Sequence, residues 1–175
     1  MEQQFQYYAF ISYKREDEKW AKWLQDRLRW YKLPSKLCRQ ITRLPKKVWP
    51  VFRDNTDLDS GRLEENIRHE LERSHYLIVI CSPEAARSPW VGKEVKYFAT
   101  LHGADKIIPF VVSGIPYSND IETECIHEQI KAISQEELLA INVREEGIGS
   151  FAMQKKRAFI RVVARLLDIK FNTLW

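Results

Sequence analysis

Tyr76–Cys81 is an uninterrupted apolar run of strand length, and no other stretch constrains the fold as much. A strand that is apolar at every position is buried on both faces, as the central strands of parallel sheets are. Around it, strand-like and helix-like segments alternate. Tyr7–Ser12 reads as a buried strand. Asp17–Tyr31 has the period of an amphipathic helix, with Trp20, Leu24, Arg27/Leu28 and Tyr31 on one stripe. Leu33–Lys47 is a basic connection with no evident function. Val48–Phe52 reads as a second strand, and Pro50 inside it indicates a sheet edge, because proline cannot donate to a central ladder. A polar loop, Arg53–Gly61, leads to a helix over Arg62–Ser74 with Leu63, Ile67 and Leu71 inward. After the central strand come a helix from Trp90 to about Leu101, a strand at Ile107–Val112 and an irregular or helical stretch at Ile121–Ile133. A short fifth strand at Leu138–Val143 and a closing helix at Phe151–Leu167 complete the series; Phe159, Ile160, Val163, Leu166 and Leu167 face inward.

This alternation implies one parallel sheet with helices on both faces. Its expected form is a flavodoxin-like, three-layer α/β fold of five strands in the order 2-1-3-4-5. That order puts the proline-bearing second strand at the edge. It also places the topological switch between the first and third strands, where ligands bind beyond the carboxyl ends. Ser12-Tyr13-Lys14-Arg15, Ser82–Ser88 and the Arg53–Gly61 loop all open there.

The same rim carries an unusual glutamate. Ser88 suits a helix N-cap and Pro89 the first helical position, so Trp90-Val91-Gly92-Lys93-Glu94 should open a helix. The neighbours of Glu94 three and four residues away are Trp90, Val91, Tyr97 and Phe98. None is basic, so no intrahelical salt bridge explains the carboxylate. Glu94 is therefore a candidate active-site group, with a solvent-facing position on an amphipathic helix as the plain alternative.

Composition narrows the chemistry. A chain of 175 residues is long enough for one domain with a full core. The net charge of +4 suits anionic small ligands at least as well as nucleic acid, and no nucleic-acid partner is expected. Cys38, Cys81 and Cys125 and the four histidines are scattered, which predicts no metal site and a reducing, cytoplasmic setting. The longest apolar runs are strand-length, so no membrane span is expected within the chain. The absence of Gly-x-Gly-x-x-Gly and Walker loops disfavours dehydrogenases and P-loop NTPases. Ile169, Phe171, Leu174 and Trp175 continue the apolar character past the closing helix. They either fold back on the core or mark the amino-terminal part of a longer protein.

Taken in order, these segments resemble a TIR domain, the Toll/interleukin-1 receptor family, over nearly the whole chain. Phe10-Ile11-Ser12-Tyr13-Lys14-Arg15 is similar to the family's first box. Val51-Phe52-Arg53-Asp54, continuing through Asp57, Leu58, Asp59 and Gly61, is similar to its second strand and BB loop. Ser82-Pro83, Ser88, Trp90 and Glu94 are similar to the third-strand end and the glutamate helix of bacterial and other catalytic members. The resemblance implies cleavage of NAD+ between nicotinamide and ribose, giving ADP-ribose or a cyclic isomer, with NAD+ as substrate and no cofactor. It implies a role in bacterial antiphage defence. It also implies self-association through Asp54, Asp57, Leu58, Asp59 and Gly61, and a fused or separate sensor or effector partner. Glu94 falls on the family's catalytic position and Trp90 on its aromatic. Ser12, Tyr13 and Ser88 lie on the expected substrate rim. Lys14, Arg15 and Arg53 are placed to meet the pyrophosphate or to sit in solvent. Phe10 either lines the nicotinamide side or packs in the core. A single carboxylate suffices for this reaction, since a cationic pyridinium leaves as a neutral molecule without a general acid. Two other readings compete: a non-catalytic TIR scaffold acting through its BB loop, and, more remotely, a nucleoside deoxyribosyltransferase.

Overall fold

The computed structural model describes residues 5–54, 64–134, 136–144 and 149–175. Five strands, β1 (Tyr7–Ser12), β2 (Val51–Arg53), β3 (Ser74–Cys81), β4 (Ile107–Val111) and β5 (Ile141–Asn142), form one sheet in the order β2-β1-β3-β4-β5. Every pairing is parallel. The longest strand is β3, and its apolar run Tyr76–Cys81 is buried throughout. Its side chains alternate between two cores. Tyr76, Ile78 and Ile80 join the core under α1 (Glu18–Trp30) and α7 (Phe151–Leu167). Leu77, Val79 and Cys81 join the core under α3 (Glu65–Glu72), α5 (Pro89–His102) and α6 (Glu128–Ile133). The five-stranded α/β sheet with helices on both faces is thus the expected one, down to the strand order.

Several boundaries differ. The second strand begins at Val51, after Pro50, and reaches Arg53. Its register pairs Val51 with Ala9 and Arg53 with Ile11, so proline sits just outside the ladder. The helix expected to run from Arg62 to Ser74 is described over Glu65–Glu72, because Ser74 already pairs with Tyr7 and opens β3. Residues 62 and 63, with the rest of the stretch 55–63, lie outside the described residues. The fifth strand shrinks to two residues. Only Glu128–Ile133 of the irregular stretch is helical. Upstream of it, Glu124 organises the chain by accepting from the backbone N–H groups of Tyr117 and Ile126 at 2.8 and 3.2 Å, and from Lys131.

The basic connection has structure of its own. It contains the short helix α2 (Ser35–Gln40), and Leu33, Leu37 and Leu44 are buried. Arg43 donates to the carbonyl oxygens of Leu167 and Asp168 at 3.1 and 3.3 Å. This satisfies acceptors at the open end of α7, where a cation is also favoured by the helix dipole. The last residues fold back: α8 (Phe171–Leu174) follows, and Ile169, Phe171 and Leu174 pack against the α1/α7 core.

Candidate active site

The site grows from the start of α5. Ser88 caps this helix through its side-chain oxygen, which accepts from the Val91 N–H at 3.2 Å, and Pro89 occupies the first turn. The cap sets the phase of the helix. Val91, Val95 and Phe98 point into the core, and Glu94 points with them, 1% exposed. The solvent-facing alternative for Glu94 is therefore excluded by its burial.

Burying a carboxyl without a cation is unfavourable, so its surroundings carry the information. The Ser12 hydroxyl at the end of β1 donates to Glu94 Oε1 at 2.9 Å. Glu94 Oε2 is buried and has no hydrogen-bond partner among the described residues. Burial pushes the Glu94 carboxyl well above the usual carboxylate range; the Ser12 hydrogen bond opposes this and the charge of nearby Asp54 adds to it. The site thus holds an orphaned acceptor with a strong bias towards its neutral form. A ligand bringing a positive charge and a hydroxyl donor would supply both missing partners.

A second group lies beside it. The Tyr13 hydroxyl donates to the Asp54 carbonyl oxygen. Arg53 donates through Nη1 to the Tyr13 hydroxyl at 3.1 Å and through Nε to Gln25 at 3.0 Å, and pairs with Glu18 at 3.7 Å. Arg53 is therefore engaged as a brace between β2 and α1. Lys14 is half-buried and Arg15 exposed, in the turn after β1. Phe10 has no exposure and packs against Phe52, 5.1 Å between ring centroids, which places it in the core. Trp90 is half-buried against the α5 core. The Ser88 hydroxyl is occupied by its capping bond. Of the residues singled out by sequence, the structure brings Ser12, Glu94 and Asp54 into one neighbourhood and ties Tyr13, Arg53 and Asp54 into another. Asp57, Leu58, Asp59 and Gly61 lie outside the described residues.

Three supporting residues were not foreseen. Asp17 is buried at the foot of α1 and accepts from the Ser82 hydroxyl, joining the turns that follow β1 and β3. His127 sits against Ser88: its Nε2 is 2.9 Å from the Ser88 carbonyl oxygen, while its Nδ1 accepts from Gln129 N–H at 3.0 Å. That pairing makes Nε2 the protonated nitrogen, and burial lowers the pKa of the ring, which favours this neutral form. Gly92 permits the approach, since a Cβ there would lie 2.5 Å from His127 Cε1. Asp17 and Ser82 are 65 residues apart, and His127 and Ser88 are 39 apart, so no local pattern in the sequence announced them.

Nucleophilic chemistry at the two buried cysteines is disfavoured. Burial raises the Cys125 thiol to about 12 and the Cys81 thiol well above its usual value, so neither is a ready nucleophile. Among the described residues, no group of three or more His, Cys, Asp or Glu is placed to hold a metal ion. No helix among them is long and apolar enough to cross a membrane.

The 2-1-3-4-5 parallel sheet with helices on both faces defines a flavodoxin-like α/β class, and the buried carboxyl lies where ligands bind in such sheets. The comparison with known families is more specific: the profile described as TIR domain matches residues 9–135, and the chain belongs to the TIR domain family. A curated relative, NAD(+) hydrolase ApTIR of Actinoplanes sp., is 36% identical over 110 residues. That alignment spans 62% of this chain but 14% of the relative's length. Among solved structures, the TIR domains of the activated Roq1 resistosome directly recognizing the pathogen effector XopQ align with a TM-score of 0.57. That match covers 88% of this chain and 98% of the other at 14% identity, a likeness of fold.

Proposed function

We propose that this chain cleaves the bond between nicotinamide and ribose in NAD+. The observation that carries the reading is the buried Glu94 carboxyl with one unsatisfied oxygen beside Ser12. Its similarity to a protein named NAD(+) hydrolase supports the same substrate.

In the proposed reaction the C1′–N bond breaks and its electron pair passes to the pyridinium nitrogen, so neutral nicotinamide leaves. A ribosyl cation remains. Glu94, which loses its proton to solvent as the cationic substrate binds, offsets that charge, and Oε2 accepts from a ribose hydroxyl. The cationic substrate is what shifts Glu94 towards its anion, since an opposite charge at close range favours the charged form. Water then adds to C1′ and releases a proton, giving ADP-ribose; capture by the adenine of the same molecule gives a cyclic isomer instead. Ser12 holds Oε1 in place, and Trp90 walls the ribose side. Lys14 and Arg15 meet the pyrophosphate.

Glu94 is buried, so substrate entry requires its cover to move. We assign that step to self-association, with a neighbouring TIR domain completing the pocket, and the role to defence against phage, as the resemblance to bacterial members suggests. The test is nicotinamide release from NAD+, with mass spectrometry of the second product. ADP-ribose identifies a hydrolase, a species lighter by one water identifies a cyclase, and unchanged NAD+ at high protein concentration contradicts the proposal.

A further inference from the structure

The modest net charge conceals a strong separation of sign. From Lys19 to Trp49 the chain has ten Lys and Arg against one acidic residue, and from Phe151 to Trp175 it has six against one. The remainder has twelve basic residues against twenty-two acidic. The two basic segments are α1 from Lys19, α2, α7, α8 and their connections, and their buried residues apart from Ala164 belong to the core on one side of the sheet. Arg43 on Leu167 and Arg27 over Phe159, 5.1 Å from the ring centroid, join them into one layer. The helices on the other side lack this excess: α3, α5 and α6 carry Glu65, Glu70, Glu72, Glu94 and Glu128 against Arg68, Lys93, Lys96 and Lys131.

Large aromatic side chains protrude from the basic layer. Trp30 is 70% exposed, with Arg29 and Lys47 over its ring at 5.2 and 5.9 Å. Trp175 is 46% exposed, with Lys156 and Arg157 at 5.6 and 5.3 Å. Indole rings flanked by cations match the interface of a bilayer, where tryptophan sits at headgroup depth and lysine and arginine meet anionic lipid.

We infer that the α1/α2/α7/α8 layer docks this molecule flat on an anionic lipid surface. A lipid surface fits better than nucleic acid because the charge covers a whole helical layer instead of following a groove or one helix. The cation excess lies on this layer and not on the helices opposite, so the layer turns towards the lipid, and α5 with Glu94 faces away from it. This inference is independent of NAD+ cleavage.

The test is cosedimentation with vesicles of phosphatidylcholine alone or with roughly 30% phosphatidylserine, at about 0.05 and 0.5 M salt. The expected result is binding to the anionic vesicles at low salt, weak binding to neutral ones, and loss at high salt. The double variant Arg29→Glu, Lys47→Glu should bind at least about tenfold more weakly, and Trp30→Ala should also reduce binding. Far-ultraviolet circular dichroism confirms the fold of each variant. Absence of binding, equal binding to neutral vesicles, or tighter binding to a single-stranded oligonucleotide through the same residues overturns the inference.

Discussion

Glu94 combines two properties that conflict in a resting protein: it is buried, and one of its oxygens has no partner among the described residues. The folded chain therefore retains a proton that the unfolded chain releases near pH 4.5. Stability tied to this group is fully present below that pH and declines as pH rises through the elevated folded value, by about 1.4 kcal/mol for each unit of the interval. Glu94→Gln removes this linkage. Thermal melts should show the variant more stable than the parent at pH 7 to 8 and nearly equal to it around pH 4; a variant less stable at neutral pH would mean that the carboxylate is paired in the fold. Ser12→Ala removes the hydroxyl that donates to Glu94. It should cost about 1–3 kcal/mol in chemical denaturation, and it should shift the rising limb of the pH–kcat/KM profile upward, since an opposing hydrogen bond is gone. An unchanged profile would show that Ser12 has no part in setting the charge of Glu94. That Glu94 was special could be read in the sequence, from its aromatic neighbours and missing cations. Its burial could not, because the covering groups come from distant parts of the chain.

At the scale of elements, the placement of Glu94 depends on α5, and α5 is fixed at its start by Ser88, Gly92 and His127. A methyl group at position 92 collides with the imidazole. Gly92→Ala should destabilise the protein by about 1–3 kcal/mol, the range for overpacking a tight contact. Gly92→Ala combined with His127→Ala should lose much less than the sum of the single changes, which a double-mutant cycle in urea measures. Strict additivity would show that the two residues do not share a contact. The elements themselves were largely legible. Strand order, the edge position of β2 and the inward face of α7 follow from apolar periodicity, from Pro50, and from the run Tyr76–Cys81. The ends of elements were not. The helical period runs on to Ser74 although its backbone pairs with Tyr7, and β5 is shorter than its apolar pattern, since pairing depends on a neighbour that the pattern does not contain. Nothing local in the Leu33–Lys47 connection signals its role, because Arg43 acts on a helix end more than a hundred residues away.

For the whole molecule, Glu94 is covered among the described residues, and the proposed function joins this to self-association. Nicotinamide released per molecule should rise with protein concentration, and fusion to an oligomeric carrier should raise it at a fixed low concentration. A specific activity independent of concentration from the micromolar range upward would contradict a pocket completed by a neighbour. The central claim is that the buried Glu94 carboxyl drives the cleavage of NAD+. Its most direct test is nicotinamide release by the parent chain and by Glu94→Gln at equal, high concentration, with both confirmed folded. The account predicts release by the parent and a loss of at least about a hundredfold in the variant, the scale of removing one preorganised electrostatic group. Equal release by the two proteins would contradict it.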